Sequence, residues 1–194
     1  MIKRALYKFA YFFRLRDSVK IARSLEVRLG TNCKFLDDPV AMFGTEPYLI
    51  KIGNHVELTH GVRLITHDGS VWTMREREQY KNVDFLAPIV IGDNTFVGMN
   101  TLILPGTKIG NNVIIGAGSV VKGTIPDNTV YAGVPARFIK TIDEFEKVKK
   151  DNLLETKNLS AKDKESTVRR LLNTVWCSNK VFDRHNSIGD CRAI

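Results

Sequence analysis

From residue 91 the chain reads in sixes: IGDNTF, VGMNTL, ILPGTK, IGNNVI, IGAGSV, VKGTIP. The first place of each hexad is Ile91, Val97, Ile103, Ile109, Ile115 and Val121, aliphatic without exception. The fifth place is Thr95, Thr101, Thr107, Val113, Ser119 and Ile125, all small or β-branched, and Gly92, Gly98, Gly110 and Gly116 take the second. A period of six excludes an amphipathic helix, because residues six apart sit about 240° apart around it. β-Branched residues punctuated by Gly and Asn specify short strands and tight turns instead. Three hexads then make one triangular coil with its aliphatics stacked inside, and one coil cannot stand without the next. The fold class is therefore an all-β core, a parallel β-helix, with helical segments at both ends.

The same register runs upstream through Ile52, Leu58 and Leu64, making residues 52–69 one coil of 18 residues. It stops over residues 70–90 and resumes at Ile91. An insertion between whole coils can loop out without breaking the stack. A fainter trace at Leu29 and Phe35, with Cys33 and Pro39 in fifth place, extends the prism to roughly four coils over 29–126. The domain plan is residues 1–28, a basic amphipathic helical segment; 29–140, the β-helix with its insertion; and 141–194, a helical tail. Within the tail, 155–166 reads as a polar linker, Val168 to Trp176 as a short helix, and 177–194 has no period.

Charge qualifies the first impression of a basic protein. There are 29 Lys+Arg against 21 Asp+Glu, a net of +8, which raises nucleic acid as a partner. Residues 1–28 carry +6 of that, 29–140 net zero, and 141–194 carry +2. The repeat region is neutral, so no nucleic-acid partner is expected. In the N-terminal segment Ile2, Leu6, Phe9 and Phe13 form one apolar stripe flanked by Lys3, Arg4, Lys8, Arg14 and Arg16. It suits either a peripheral contact with an anionic membrane or packing on its own β-helix. No apolar run reaches membrane-spanning length, and the three cysteines (Cys33, Cys177, Cys191) are scattered, as in a reducing cytoplasm. The expected location is the cytoplasm or the inner face of the membrane.

Few residues suit chemistry. His67 stands in Leu64-Ile65-Thr66-His67-Asp68-Gly69, where the coil gives way to the insertion. An imidazole titrates near neutrality and is a natural base for a hydroxyl. Asp68 could orient it. Trp72 and Arg75, with Arg77 nearby, could hold a sugar or phosphate, or could belong to a solvated loop. His55 and His60 lie on neighbouring turns of one coil with no cysteine near; zinc needs three or four converging ligands, so no metal is expected. There is no GxSxG elbow and no glycine-rich phosphate loop.

The hexads, LITHDGSVWTMR, IVIGDNTFVGMNTLILPGTKIG and YAGVPARFIK together resemble the hexapeptide-repeat acetyltransferases, above all the O-acetyltransferases of bacterial surface polysaccharides. The similarity covers about residues 30–140. It implies a left-handed β-helix, a homotrimer, and acetyl-CoA bound between subunits. It places the catalytic histidine at His67. CoA contacts fall at Phe96, Gly98, Met99, Ala117 and Lys122, with Arg137 and Lys140 as basic tail positions. Relatives often carry Trp at the place of Phe96, and Thr-Lys at the place of Lys122-Gly123. The implied reaction is acetyl transfer to a sugar hydroxyl of a surface polysaccharide or its precursor, with a backbone N–H near Gly98 or Met99 serving the oxyanion. Other acceptors in the same chemistry are an antibiotic, an amino sugar or serine. Two readings from other classes are a β-helical zinc carbonic anhydrase, for which a third histidine is missing, and a non-catalytic scaffold.

Overall fold

The computed structural model describes residues 17–178. The stripe Ile2, Leu6, Phe9, Phe13 and the segment 179–194 lie outside the described residues. The aliphatic places of successive hexads fall directly over one another, as the period requires. The first coil holds β1 (Arg28–Leu29) and β2 (Lys34–Phe35). The second holds β3 (Ile50–Ile52), β4 (Glu57–Leu58) and β5 (Arg63–Leu64). The third holds β6 (Ile89–Ile91), β7 (Phe96–Val97) and β8 (Leu102–Ile103). In the fourth are β9 (Lys108–Ile109), β10 (Ile114–Ile115) and β11 (Val120–Val121). A last partial coil carries β12 (Thr124–Ile125), β13 (Thr129–Gly133) and β14 (Ala136–Thr141).

These strands form three sheets, the sides of a left-handed parallel β-helix. Face A runs β1-β3-β6-β9-β12, face B runs β2-β4-β7-β10-β13-β14, and face C runs β5-β8-β11. Every pairing is parallel except β13 with β14. Leu29, Ile52, Ile91, Ile109 and Ile125 make one interior column, and Leu64, Ile103 and Val121 another. Ile103, Ile115 and Val121 are fully buried, and each such side chain contributes about 1.5–3 kcal/mol by leaving water. The fifth-place Thr95, Thr101, Thr107 and Ser119 are also buried, and their hydroxyls donate to coil carbonyls, Thr107 to Leu104 at 2.6 Å among them.

Corner residues explain the Asn punctuation. Asn32, His55, Asn94, Asn112 and Asn128 all turn the same corner with φ between 51° and 60°. Asn tolerates that left-handed backbone better than most residues. Their side chains stack as a ladder: Asn94 donates to Asn112 at 2.8 Å, Asn112 to Asn128 at 2.9 Å, and His55 meets Asn94 at 2.8 Å. His55 is thus a rung of a structural ladder.

Several expectations change. Ile125 is not a fifth-place residue: it pairs with Ile109 inside the next coil, reached from Val121 through a tight turn at Gly123, whose φ is +83°. The first coil has no strand on face C. Its third side is the short helix α2 (Pro39–Met42), capped by Asp38 and burying Met42 beside Phe43. A proline at the first helical turn stops the hexad geometry there. The N-terminal helix ends early: α1 spans Ser18–Ser24, capped by Asp17, and strand geometry begins at Arg28. After β14, α3 (Ile142–Lys149) starts from a reciprocal Thr141–Glu144 cap.

The chain divides into two units, Met1–Val148 and Lys149–Ile194. In the second, residues 155–160 are non-helical as expected of a linker, but the helix expected from Val168 starts seven residues earlier: α4 spans Ala161–Ser178, begun by a Ser160–Asp163 capping pair and supported by Arg169–Glu165. A polar stretch makes a good helix when its charges sit three and four apart. Among the described residues no helix is long and apolar enough to cross a membrane.

Candidate active site

The insertion has a pinched neck. Thr66, His67 and Asp68 run antiparallel to Phe85, Leu86 and Ala87: Asp68 N–H donates to Phe85 O at 3.0 Å, and Ala87 N–H to Thr66 O at 2.9 Å. The period can therefore stop and restart without disturbing the stack. His67 sits in this neck, on the corner between faces C and A.

Its ring is held from a place that no hexad predicts. Glu46 precedes the 3-10 turn Pro47–Leu49 that links the first two coils. Its Oε2 lies 2.9 Å from His67 Nδ1 and accepts from Thr66 Oγ1 at 2.8 Å. Partial burial works to raise the Glu46 pKa, but hydrogen bonds from Thr45, His67 and Thr66 outweigh it and hold the carboxyl below 4.5. An ionised carboxylate can only accept, so Nδ1 carries the proton between them, and in the neutral tautomer of that arrangement the lone pair is on Nε2. Half of the His67 side chain remains exposed, at 48%, so a reactant can reach it.

Asp68 does not orient the ring. Its carboxylate caps the 3-10 helix Gly69–Met74 by accepting from Ser70 N–H at 2.9 Å. Ser70, and then the fields of Lys122 and His67, keep Asp68 below its ordinary 3.8. Lys122 thus shares the neighbourhood of His67. Arg75 is committed within the loop, donating to Val83 O at 3.0 Å and pairing with Asp84. Trp72 stands 73% exposed on the same loop.

The remaining candidates gather elsewhere. Gly98 and Ala117 lie on the corner between faces B and C, the opposite edge of face C from His67, and Met99 accepts from Gly118 N–H there at 2.7 Å. A Cβ on Gly98 would stand 2.5 Å from Ala117 N, and one on Gly116 would stand 2.7 Å from Ala132 Cβ. Ala132 pairs with Arg137. A column floored by small residues thus descends this corner and ends on an exposed arginine. Phe96 projects from β7 beside it, 42% exposed, and Lys140 lies farther along β14. The Gly98 N–H is spent on Ile115 O at 2.8 Å, which leaves Met99 of the two oxyanion candidates. Among the described residues no group of three His, Cys, Asp or Glu side chains is arranged to hold a metal ion.

Sequence comparison places this arrangement. The family described as bacterial transferase hexapeptide (six repeats) matches residues 88–123. Protein CapG of Staphylococcus aureus is 48% identical over 143 residues, covering 74% of this chain and 82% of that protein. Galactoside O-acetyltransferase of Escherichia coli is 39% identical over 70% of this chain and 60% of its own length. A putative lipopolysaccharide biosynthesis O-acetyl transferase of E. coli, WbbJ, is 60% identical over a shorter stretch, 27% of this chain and 26% of its own. With its repeats stacked as observed and relatives of this extent, the chain belongs to the bacterial hexapeptide-repeat acyltransferases.

Proposed function

We propose that the protein transfers an acetyl group from acetyl-CoA to a sugar hydroxyl of a bacterial surface polysaccharide or its precursor, with His67 as general base. The observation that carries this is the Glu46–His67 pair, which leaves Nε2 of a half-exposed ring as the proton acceptor. An alcohol is a poor nucleophile at neutral pH. As its oxygen attacks the thioester carbonyl, its proton passes to Nε2, and Glu46 balances the imidazolium that forms. Collapse of the tetrahedral oxyanion breaks the C–S bond. The departing CoA thiolate takes the proton back from Nε2, leaving ester, thiol and neutral histidine. An oxygen-directed acceptor is supported by the O-acetyl transfer named for the WbbJ and galactoside relatives.

The small-residue column at the B/C corner suits the cofactor, since a ligand can lie against backbone where no side chain intervenes. Arg137 at its end, with Lys140 beyond, supplies charge for CoA phosphates. In this reading the cofactor column and His67 occupy opposite edges of face C, so the site closes when one protomer's corner faces its neighbour's His67. A cyclic homotrimer satisfies this with one repeated contact.

Thiol release from acetyl-CoA, measured against a panel of sugars, amino sugars and serine, tests the proposal. His67→Ala is expected to leave the fold intact and to cut turnover by about 10²–10⁴. Unchanged turnover refutes the base, and turnover with serine alone refutes the sugar acceptor.

A further inference from the structure

His55 is a rung of the corner ladder and His67 is held by Glu46. The ring of His60 is exposed and has no hydrogen-bond or ion-pair partner among the described residues. Its place is set by register. Leu58 pairs with Val97, Val97 with Ile115 and Ile115 with Tyr131, so two residues on, at the B/C corner, His60, Met99, Ala117 and Gly133 stand in line. Of these four only His60 has a polar side chain. Beside that line runs the small-residue column of Gly98, Gly116 and Ala132, closed at its upper end by Thr59, whose hydroxyl donates to Val97 O at 2.8 Å. From Ala132, which pairs with Arg137, to Thr59 is three coil steps, about 14 Å. The backbone around His60 is fixed from both neighbouring coils. Its carbonyl accepts from Asn100 N–H at 2.9 Å below, and the following N–H, of Gly61, donates to Asp37 at 3.0 Å above. His60 and His67 belong to the same coil, at the two edges of face C, with β5 between them.

We infer that His60 completes the acyl end of the neighbouring protomer's site, donating its ring N–H to the acetyl carbonyl oxygen as that oxygen becomes negative. This rests on the acetyl transfer and the trimer proposed above. A three-fold axis parallel to the prisms carries each coil to the same height in the next protomer. The corner facing a neighbour's His67 at that height is then the one that bears His60, while Met99 and Ala117 lie about 5 and 10 Å lower. In this arrangement the cofactor's phosphates meet Arg137 and its thioester reaches the top of the column, beside His60. Imidazole has an N–H in either neutral tautomer and when protonated, so it can donate throughout the reaction. No proton leaves His60. The acceptor's proton passes to His67 Nε2, the oxyanion is held by the His60 N–H together with that of Met99, and the carbonyl re-forms when the C–S bond breaks. Because the corner backbone is already fixed, the donor needs little reorganisation as charge develops.

The full chain and the thiol-release assay test this. His60→Ala should lower kcat about 10²-fold with KM for both substrates nearly constant, and should melt like the parent because the ring is exposed and unpartnered. His60→Gln, which keeps an N–H donor, should recover about ten-fold of that loss. His55→Asn, which restores the residue type of the corner ladder, should leave kcat unchanged. Reassembled equal mixtures of His60→Ala and His67→Ala should regain about a quarter of parental activity, because one protomer then supplies the donor and its neighbour the base. Mixtures of His60→Ala with the groove-blocking Ala117→Tyr, both altered on the same corner, should regain none. A His60→Ala kcat within about three-fold of the parent, with His67→Ala inactive, overturns the inference and leaves the proposed base standing. So does a loss confined to KM for the acceptor, or no regain in reformed trimers of His60→Ala with His67→Ala. Turnover retained by His67→Ala refutes instead the base on which the inference rests.

Discussion

Glu46→Gln isolates what the carboxylate does for His67. The substitution keeps shape and removes charge. Nδ1 and Oε2 are 2.9 Å apart. With charge centres about 4 Å apart once the ring is protonated, their attraction is about 4 kcal/mol at a near-surface dielectric and about 1 kcal/mol in bulk water. The His67 side chain is 48% exposed and Glu46 only 19%, so a value of about 2 kcal/mol is reasonable. In the proposed mechanism this attraction exists only while His67 holds the substrate proton, so it would lower the transition state and not the Michaelis complex. Glu46→Gln should therefore reduce kcat about 30-fold, with KM for both substrates nearly constant. A glutamine can present either its oxygen or its amide nitrogen to Nδ1, so the ring should also lose its single tautomer. ¹⁵N NMR of labelled histidine reads that directly and needs no acceptor: the parent should show a protonated Nδ1, the variant a mixture. A kcat within about three-fold of the parent, or a change confined to KM, refutes the transition-state role. An unaltered tautomer refutes the orienting role.

Four further outcomes follow from the same geometry. Gly98→Ala forces a Cβ to 2.5 Å from Ala117 N, which should cost about 1–3 kcal/mol by thermal or denaturant unfolding and raise KM for acetyl-CoA. Ile103→Ala empties a fully buried place in the face C column and should cost about 2–5 kcal/mol without changing KM. Burial tends to raise Asp37, but Arg63 and the Asp38 and Gly61 N–H groups hold it below 3.8, as Glu46 is held below 4.5, so the folded state binds fewer protons than the unfolded chain. The stability these carboxylates add is complete above about pH 4.5 and drains as the pH falls through their folded values; Asp37→Asn should flatten the acid limb of stability against pH. Finally, equal mixing of His67→Ala with the groove-blocking Ala117→Tyr, followed by reassembly, should restore about a quarter of parental activity if each site takes its base and its cofactor column from different protomers. No recovery, with trimers reformed, places both on one chain.

The prism was legible because each coil repeats one local instruction. An aliphatic residue every six places, a hydroxyl or β-branched residue four places later and Asn or Gly at corners together determine an inside, a turn and a rise. Where that instruction lapses, so does prediction. Pro39 starts a helix within the first coil, the segment 36–49 has no period, and Glu46 lies in it. Nothing in its spacing announces a partner 21 residues away, because the contact arises from a non-repeating link crossing back beneath the neck. Asp68, adjacent to His67, was the natural guess, yet backbone geometry sends successive side chains to opposite sides and Asp68 caps the following turn instead. The Ile125 step failed for a related reason: Gly123 shortens the corner, so the interior place arrives after four residues and not six.

The two halves of the candidate site draw on different properties of one scaffold. The proposed cofactor column needs backbone exposed over several coils, and the repeat supplies it by stacking Gly98, Gly116 and Ala132; a Cβ on either glycine would meet the next coil. Acid–base chemistry needs one asymmetric pair held by non-repeating chain. The prism provides that where its symmetry is broken: at the neck of its long insertion and at the irregular link after α2. Changes to the insertion beyond its neck leave the Glu46–His67 pair and the small-residue column untouched. Under the proposed function, acceptor choice would therefore vary with residues 70–84 while the acetyl donor and the base stay constant. Exchanging that segment for a relative's, with the neck pairing of residues 66–68 and 85–87 retained, should change KM for the acceptor while KM for acetyl-CoA stays the same. A changed KM for acetyl-CoA would mean that the insertion reaches the cofactor, and the division of labour would fail.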